Sequence, residues 1–134
     1  MHDGPVARLA DIVFDCHHPA SLARFWAAAL DDHHVAPYDD EELARLRAAG
    51  IDDPEDDPSV LVESERSDVR LWFQRVPEPK TVKNRVHLDL RCEDADREVE
   101  RLLALGARLA DAQHDPGLVV LHDPEGNELC ILRA

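Results

Sequence analysis

Apolar and polar residues alternate along Asp11-Ile-Val-Phe-Asp-Cys16, placing Ile12, Phe14 and Cys16 on one face of a strand and Asp11, Val13 and Asp15 on the other. The spacing then becomes helical. Pro19 suits a first helical position after His18, and Leu22, Phe25, Trp26 and Ala29 form one apolar stripe. The same succession returns further on. Residues 86–92 alternate, with Leu88, Leu90 and Cys92 on one face and His87, Asp89 and Arg91 on the other. Asp94 then offers an N-cap, Val99, Leu102 and Leu103 an apolar stripe, and Gly106 a stop in the C′ position.

An offset of 76 residues superposes the two units, laying Asp11 on His87, Phe14 on Leu90, Cys16 on Cys92 and Trp26 on Leu102. An offset of 58 lays residues 70–75 over 128–133, where Leu71 and Phe73 match Leu129 and Ile131. The second half adds strand-like segments at 107–111 and 117–122 and a turn at 123–127. Each half therefore reads βαβββ, a unit too short to bury its own sheet face. One α+β domain over 1–134 is expected, with modules at about 7–76 and 84–134. A long irregular stretch, 31–58, interrupts the first module. Within it 39–50 reads as a short helix with Leu43 and Leu46 inward, while 51–58 reads as a charged loop and His33-His34 as loop residues. Nine acids against Arg45 and Arg47 from 39 to 57 mark a solvent-facing excursion that lacks the ligand spacing and glycine of a calcium loop.

Charge narrows the partners. A chain of 134 residues with net charge −14 repels phosphate backbones and anionic bilayers, so neither nucleic acid nor membrane is an expected partner. No apolar run approaches the ~20 residues of a membrane span, and the first ten residues lack a signal peptide's apolar region. Three cysteines without a CxxC make a poor disulfide framework, which fits a reducing, cytoplasmic location. One stretch runs against the acidic background. Residues 70–91 carry Arg70, Arg75, Lys80, Lys83, Arg85 and Arg91 against Glu78 and Asp89, and they include both lysines of the chain. Such an island suits pairing with the acidic excursion, in the same chain or a partner subunit, or recruitment of an anionic small molecule.

Strand alternation turns Asp11, Val13, Asp15, Arg70, Trp72, Gln74, His87, Asp89, Arg91, Glu128, Cys130 and Leu132 away from the helices. A polar sheet face is costly unless wet or paired, so it implies a ligand pocket or an Arg–Asp network around a small wet cavity. His87 reads as a general acid or base oriented by Asp11 or Asp89, or as a lining residue bonded to the same acids. Cys130 reads as a buried thiol beside Trp72, or as a nucleophile activated by His87 or Arg70. His17-His18 fall at a helix start, and His122 falls near the pocket rim.

The whole chain resembles the vicinal oxygen chelate superfamily, which includes glyoxalase I, bleomycin-resistance proteins and extradiol dioxygenases. The likeness is carried by residues 11–30, His87-Leu-Asp-Leu-Arg-Cys-Glu-Asp94, Leu105-Gly-Ala107 and Asp123-Pro-Glu-Gly-Asn127. More narrowly, Trp72-Phe-Gln-Arg-Val-Pro-Glu-Pro-Lys-Thr-Val-Lys-Asn-Arg-Val-His-Leu-Asp89 resembles a glyoxalase-like branch common in actinobacterial proteins. The resemblance implies an α+β fold of paired βαβββ modules, eight strands curled around a cavity, and a homodimer. It implies no particular reaction. Carried over by position, the family's metal ligands fall on Asp11, Trp72, His87 and Cys130, where the family usually has His or Gln, Glu, His and Glu. Trp72 offers no donor, leaving Asp11, His87 and Cys130 as the set for any divalent metal. The expectation is a small-molecule pocket working without cofactor or metal. His87 would be its catalytic residue, and Asp11, Asp15, Arg70, Trp72, Gln74, Asp89, Arg91, Glu128 and Cys130 would contact the ligand. The alternative is a metal-dependent lyase or dioxygenase of the glyoxalase I or extradiol type.

Overall fold

The computed structural model describes residues 4–133; the outermost residues of the expected domain, 1–3 and 134, lie outside the described residues. The elements are β1 (Asp11–Cys16), α1 (Pro19–Ala29), β2 (His33–Val35), α2 (Asp40–Ala48), a 3-10 turn (Pro54–Asp56), β3 (Ser59–Ser64), β4 (Arg70–Arg75), β5 (Leu88–Leu90), α3 (Ala95–Leu105), β6 (Arg108–Leu109), β7 (Leu118–His122) and β8 (Glu128–Leu132). They form two sheets of one topology, β1-β4-β3-β2 and β5-β8-β7-β6, in which β1/β4 and β5/β8 are parallel and the remaining pairs antiparallel.

The internal repeat is exact in register. Ile12 faces Leu71, Val13 faces Trp72 and Phe14 faces Phe73; in the second sheet Leu88 faces Leu129, Asp89 faces Cys130 and Leu90 faces Ile131. Both the 76- and the 58-residue offsets of the sequence reproduce this pairing. The sheets are nevertheless not closed. No ladder joins β1 to β5 among the described residues, so the strands form two open halves rather than one continuous curled sheet.

Local chemistry accounts for the helices. His18 caps α1 through Nδ1, which accepts from the Ser21 N–H at 3.3 Å, and Pro19 occupies the first turn, where a missing donor costs nothing. At the other end the Arg101 guanidinium donates to the Ala28 and Ala29 carbonyls at 2.8 Å each, satisfying acceptors that α1 cannot satisfy itself. Asp94 caps α3 by accepting from the Arg97 N–H at 3.2 Å. Gly106 ends it with φ +120°, a conformation that a side chain would strain. The expected stripe Leu22, Phe25, Trp26 and Ala29 is buried throughout.

Three expectations are corrected. β5 covers only Leu88–Leu90, not 86–92, so His87 and Arg91 flank the ladder instead of lying within it. It pairs on one side only, and the chain beyond it turns directly into the Asp94 cap. His33 and His34 are strand residues in β2, opposite Ser64 and Glu63, because the antiparallel edge of β3 captures them. The acidic stretch buries Leu46 as expected, but its charged loop does not stay wholly in solvent: Asp57 is buried while accepting from the Tyr38 hydroxyl at 2.7 Å and the Ser59 N–H at 3.0 Å. Its external ion pair goes to α1, through Arg24 and Glu55 at 2.7 Å. Among the described residues no cation of the 70–91 stretch pairs with it in the same chain; Arg70 pairs with Asp11 and Lys80 with Glu128.

One hydrophobic cluster joins both modules. It holds Phe73, Val62 and Leu71 from the first sheet, Leu121, Leu129 and Ile131 from the second, and Trp26 and Leu102 from the helices. Phe14 stacks on Phe73 at 4.9 Å and lies 5.1 Å from Trp26. Within this core sits one fully buried charged side chain, Asp123. Its carboxylate accepts from Trp26 Nε1 at 3.0 Å, from the Glu125 and Asn127 N–H groups at 2.9 and 3.0 Å, and from Asn127 Nδ2 at 2.9 Å. It thus fixes the β7–β8 turn and ties it to α1 of the other module.

Asp123→Ala strands these buried donors and is expected to destabilise the fold by about 3 kcal/mol. Trp26→Phe removes one of the bonds and leaves a void, and about 1–3 kcal/mol is expected. Urea unfolding with unchanged m-value checks both.

Candidate functional site

Three polar assemblies lie along the strands β1, β4, β5 and β8. On the open face of the first sheet, the register that sets Asp11 opposite Arg70 and Asp15 opposite Gln74 also joins their side chains. Arg70 Nε donates to Asp11 Oδ1 at 2.9 Å, its guanidinium stands 5.7 Å from the centre of the Trp72 ring, and Gln74 Nε2 donates to Asp15 Oδ1 at 2.9 Å. These residues satisfy one another in a ladder of cross-strand pairs.

In the second sheet His87 Nε2 lies 3.1 Å from Asp89 Oδ1, and one donor atom from each of His87, Asp89 and Cys130 falls within 4.8 Å of the others. Cys130 is buried. Burial first, and then the charge of Asp89, pushes its thiol up, so it is a proton-bearing partner of Asp89 rather than a ready nucleophile. Arg91 is exposed beyond the ladder.

The third assembly surrounds a cavity of about 1150 Å³. Its apolar wall comes from β1 and α1, including Ile12, Phe14 and Trp26. The opposite wall comes from the segment between β4 and β5, through Val76, Pro79, Lys80, Asn84, Arg85 and Val86. Glu125 lines one end; its two carboxylate oxygens accept from the N–H groups of His17 and His18 at 2.6 and 2.9 Å, next to the start of α1. Glu128 also lines it, and its oxygens take Lys80 Nζ at 3.1 Å and the Asn84 N–H at 2.7 Å. Burial raises the Glu128 carboxyl, but the Asn84 N–H and the Lys80 ammonium outweigh it and hold the group below the usual carboxylate range. Cys16, also on the wall, is pushed up to about 12 by burial and by Glu125, Asp123 and Asp15.

Of the residues singled out in the sequence, Asp15 and Glu128 line this cavity. Asp11, Arg70, Trp72 and Gln74 stand together in the first ladder, and His87, Asp89 and Cys130 stand together in the second sheet. Asn84 and Glu125 were not among them; Lys80 and Arg85 stood out only as part of the basic 70–91 stretch, and His17–His18 only as residues at a helix start. The string 72–89 and the 123–127 turn contain most of these residues, but strand alternation assigns no direction to a connecting segment.

At the positions where the resemblance puts the family's metal ligands, Asp11 pairs with Arg70, Trp72 offers a ring in place of a donor atom, and Cys130 lies buried beside Asp89. Asp89, which the family pattern does not include, joins His87 and Cys130 in the one compact donor group among the described residues.

Two βαβββ modules with these strand orders define a protein of the vicinal oxygen chelate fold. The chain belongs to the glyoxalase-like domain family, whose sequence model matches residues 11–132. No curated protein matches its sequence. Among solved structures, a glyoxalase/bleomycin resistance protein/dioxygenase family enzyme from Burkholderia phytofirmans is 17% identical, with TM-score 0.62, covering 93% of this chain and 97% of its own. The fosfomycin resistance protein FosX from Listeria monocytogenes, solved as a mutant with Mn(II) and 1S,2S-dihydroxypropylphosphonic acid, is 8% identical with TM-score 0.62, over 97% and 92% of the two chains. The trypanothione-dependent glyoxalase I of Leishmania major is 14% identical with TM-score 0.58, over 96% and 87%. At these identities the likeness is one of fold.

Thiol reactivity follows from burial and charge. At pH 8 iodoacetamide is expected to modify half-buried Cys92 first, Cys130 more slowly, and Cys16 at least about a hundredfold more slowly than an ordinary thiol of pKa ~8.5. Peptide mapping over time reads the order.

Proposed function

We propose that the chain binds or acts on a small amphipathic organic molecule in the cavity between β1 and the 76–87 connection, without a resident metal. The observation that carries this reading is the cavity itself. Its ~1150 Å³ exceeds what a drug-sized ligand needs, and it combines an apolar wall of Ile12, Phe14 and Trp26 with a rim of convergent polar groups. The pairing of Asp11 with Arg70 and the ring of Trp72 at the family's chelating positions support the metal-free part.

The rim also bears on the ligand's charge. Asp15, Glu78, Glu125 and Glu128 stand against Lys80 and Arg85, and Lys80 is already spent on Glu128. This favours a neutral or amine-bearing ligand over the anionic one that the basic stretch suggests, with Arg85 as the single free guanidinium of the wall. His87, paired with Asp89, lies outside the cavity lining, so in this reading it transfers a proton only to a part of the ligand that extends past Val86 and Leu88 toward the second sheet, and the Asp11–Arg70–Trp72 ladder with Gln74, Arg91 and Cys130 is the flanking surface. A homodimer in the cytoplasm belongs to the same proposal, supported by the exposed Val13 and Leu109 side chains. Sedimentation at twice the chain mass is expected.

Mass spectrometry of the freshly purified, tag-free protein under native conditions tests the reading. A co-purifying small molecule is expected, and Asp15→Asn or Arg85→Ala should weaken its retention about tenfold or more. His87→Gln should spare retention and lower any turnover of the identified molecule. A second reading, a metal-dependent lyase or dioxygenase, rests on the His87–Asp89–Cys130 donor group. Metal analysis separates the two: a substoichiometric content is expected, and about one zinc, nickel or iron per chain would overturn the metal-free proposal.

A further inference from the structure

We infer that residues 76–87 are a strap over the cavity, latched by the Glu128 carboxylate, that swings open to let ligand in and out. The inference rests on the cavity being a ligand site. The segment joins β4 of one module to β5 of the other and contains neither helix nor strand. It forms a whole wall of the cavity, through Val76, Pro79, Lys80, Asn84 and Val86.

What holds it there is sparse. At one end the Val76 N–H donates to the Cys16 carbonyl at 2.9 Å, which fixes a hinge beside β1. Beyond that hinge the His17 imidazole Nε2 donates to the Glu78 carbonyl at 3.1 Å, the two side-chain oxygens of Glu128 accept from Lys80 Nζ and the Asn84 N–H at 3.1 and 2.7 Å, and the Glu128 carbonyl takes a longer bond, 3.4 Å, from Asn84 Nδ2. Lys80 also donates to the Val82 carbonyl, which folds the strap's tip on itself. No side chain of the strap enters the core cluster, and Val82 and Val86 are 70% and 76% exposed. A segment without buried apolar anchors opens at the low end of a protein's local stability range. Pro77 and Pro79 stiffen the first arm and bring no N–H that could tie it down. Glu128, by contrast, sits in the β8 ladder with its side chain only 14% exposed, so the latch is rigid on one side and detachable on the other.

The chain contains its own reporter. Both lysines, Lys80 and Lys83, lie in the strap, so endoproteinase Lys-C can cut nowhere else. With the full chain in native buffer, Glu128→Gln is expected to be cut at least tenfold faster than the unaltered protein. Its far-UV dichroism should be unchanged, and cleavage below the unfolding transition should depend only weakly on urea. Lys80→Met breaks the latch from the strap side without touching β8, and faster cleavage at Lys83 is expected; this variant decides the matter where Glu128→Gln does not fold. Unaltered rates in both variants, or cleavage with the urea dependence of global unfolding, would overturn the strap. The neutral dye N-phenyl-1-naphthylamine then probes the cavity by stopped flow. Faster uptake and release in the variants is expected. Dye binding at unaltered rates would overturn the gating role, whereas no dye binding would overturn the cavity reading and leave the Lys-C result standing for the strap.

Discussion

Asp123 is a full charge placed where water does not reach, and it is tolerable only because four donors converge on it. Three of those donors belong to its own turn, and the fourth, the Trp26 indole, belongs to the other module. The carboxylate therefore does two things at once. It shapes the β7–β8 turn so that Glu125 meets the N–H groups of His17 and His18, and it sets α1 against the second sheet. Because the two sheets share no ladder, the modules are held by the common apolar cluster, by this buried bond and by Arg101 at the end of α1.

The open edge between the sheets is where the cavity lies. A closed ladder between β1 and β5 would fill that space with backbone pairing; here β1 keeps a free edge and β5 is cut to three residues. The β4–β5 connection passes across the gap and brings Lys80 and Arg85 to it. Polar groups that alternation puts on the open sheet faces are largely satisfied by one another, as in Asp11–Arg70 and Asp15–Gln74. The groups that face the cavity lie on the connection and on the turn.

At the positions that the family resemblance assigns to metal ligands, an arginine pairs with one carboxylate, a tryptophan brings a ring in place of a donor, and a thiol is buried beside Asp89. Likeness to FosX or to glyoxalase I is therefore a statement about strands and helices, not about the reaction.

Much of the fold was legible in the residue pattern. Strand alternation, the stripe Leu22–Phe25–Trp26–Ala29, the Asp94 cap and Gly106 are local features, and the two offsets matched the positions that turn out to pair alike in the two halves, Ile12 with Leu71 and Leu88 with Leu129. Period-two alternation also determined which side chains share a face. It could not say that β5 would stop after three residues, that His33 and His34 would join a ladder, or that Asp57 of the acidic stretch would be buried. Those outcomes depend on partners distant in sequence. The same holds for the site. Glu128 meets Lys80 and Asn84, and Glu125 meets His17 and His18, across separations that no local pattern encodes. Faces follow from the chain's own geometry, whereas a cavity is the space left between elements and exists only once they have packed.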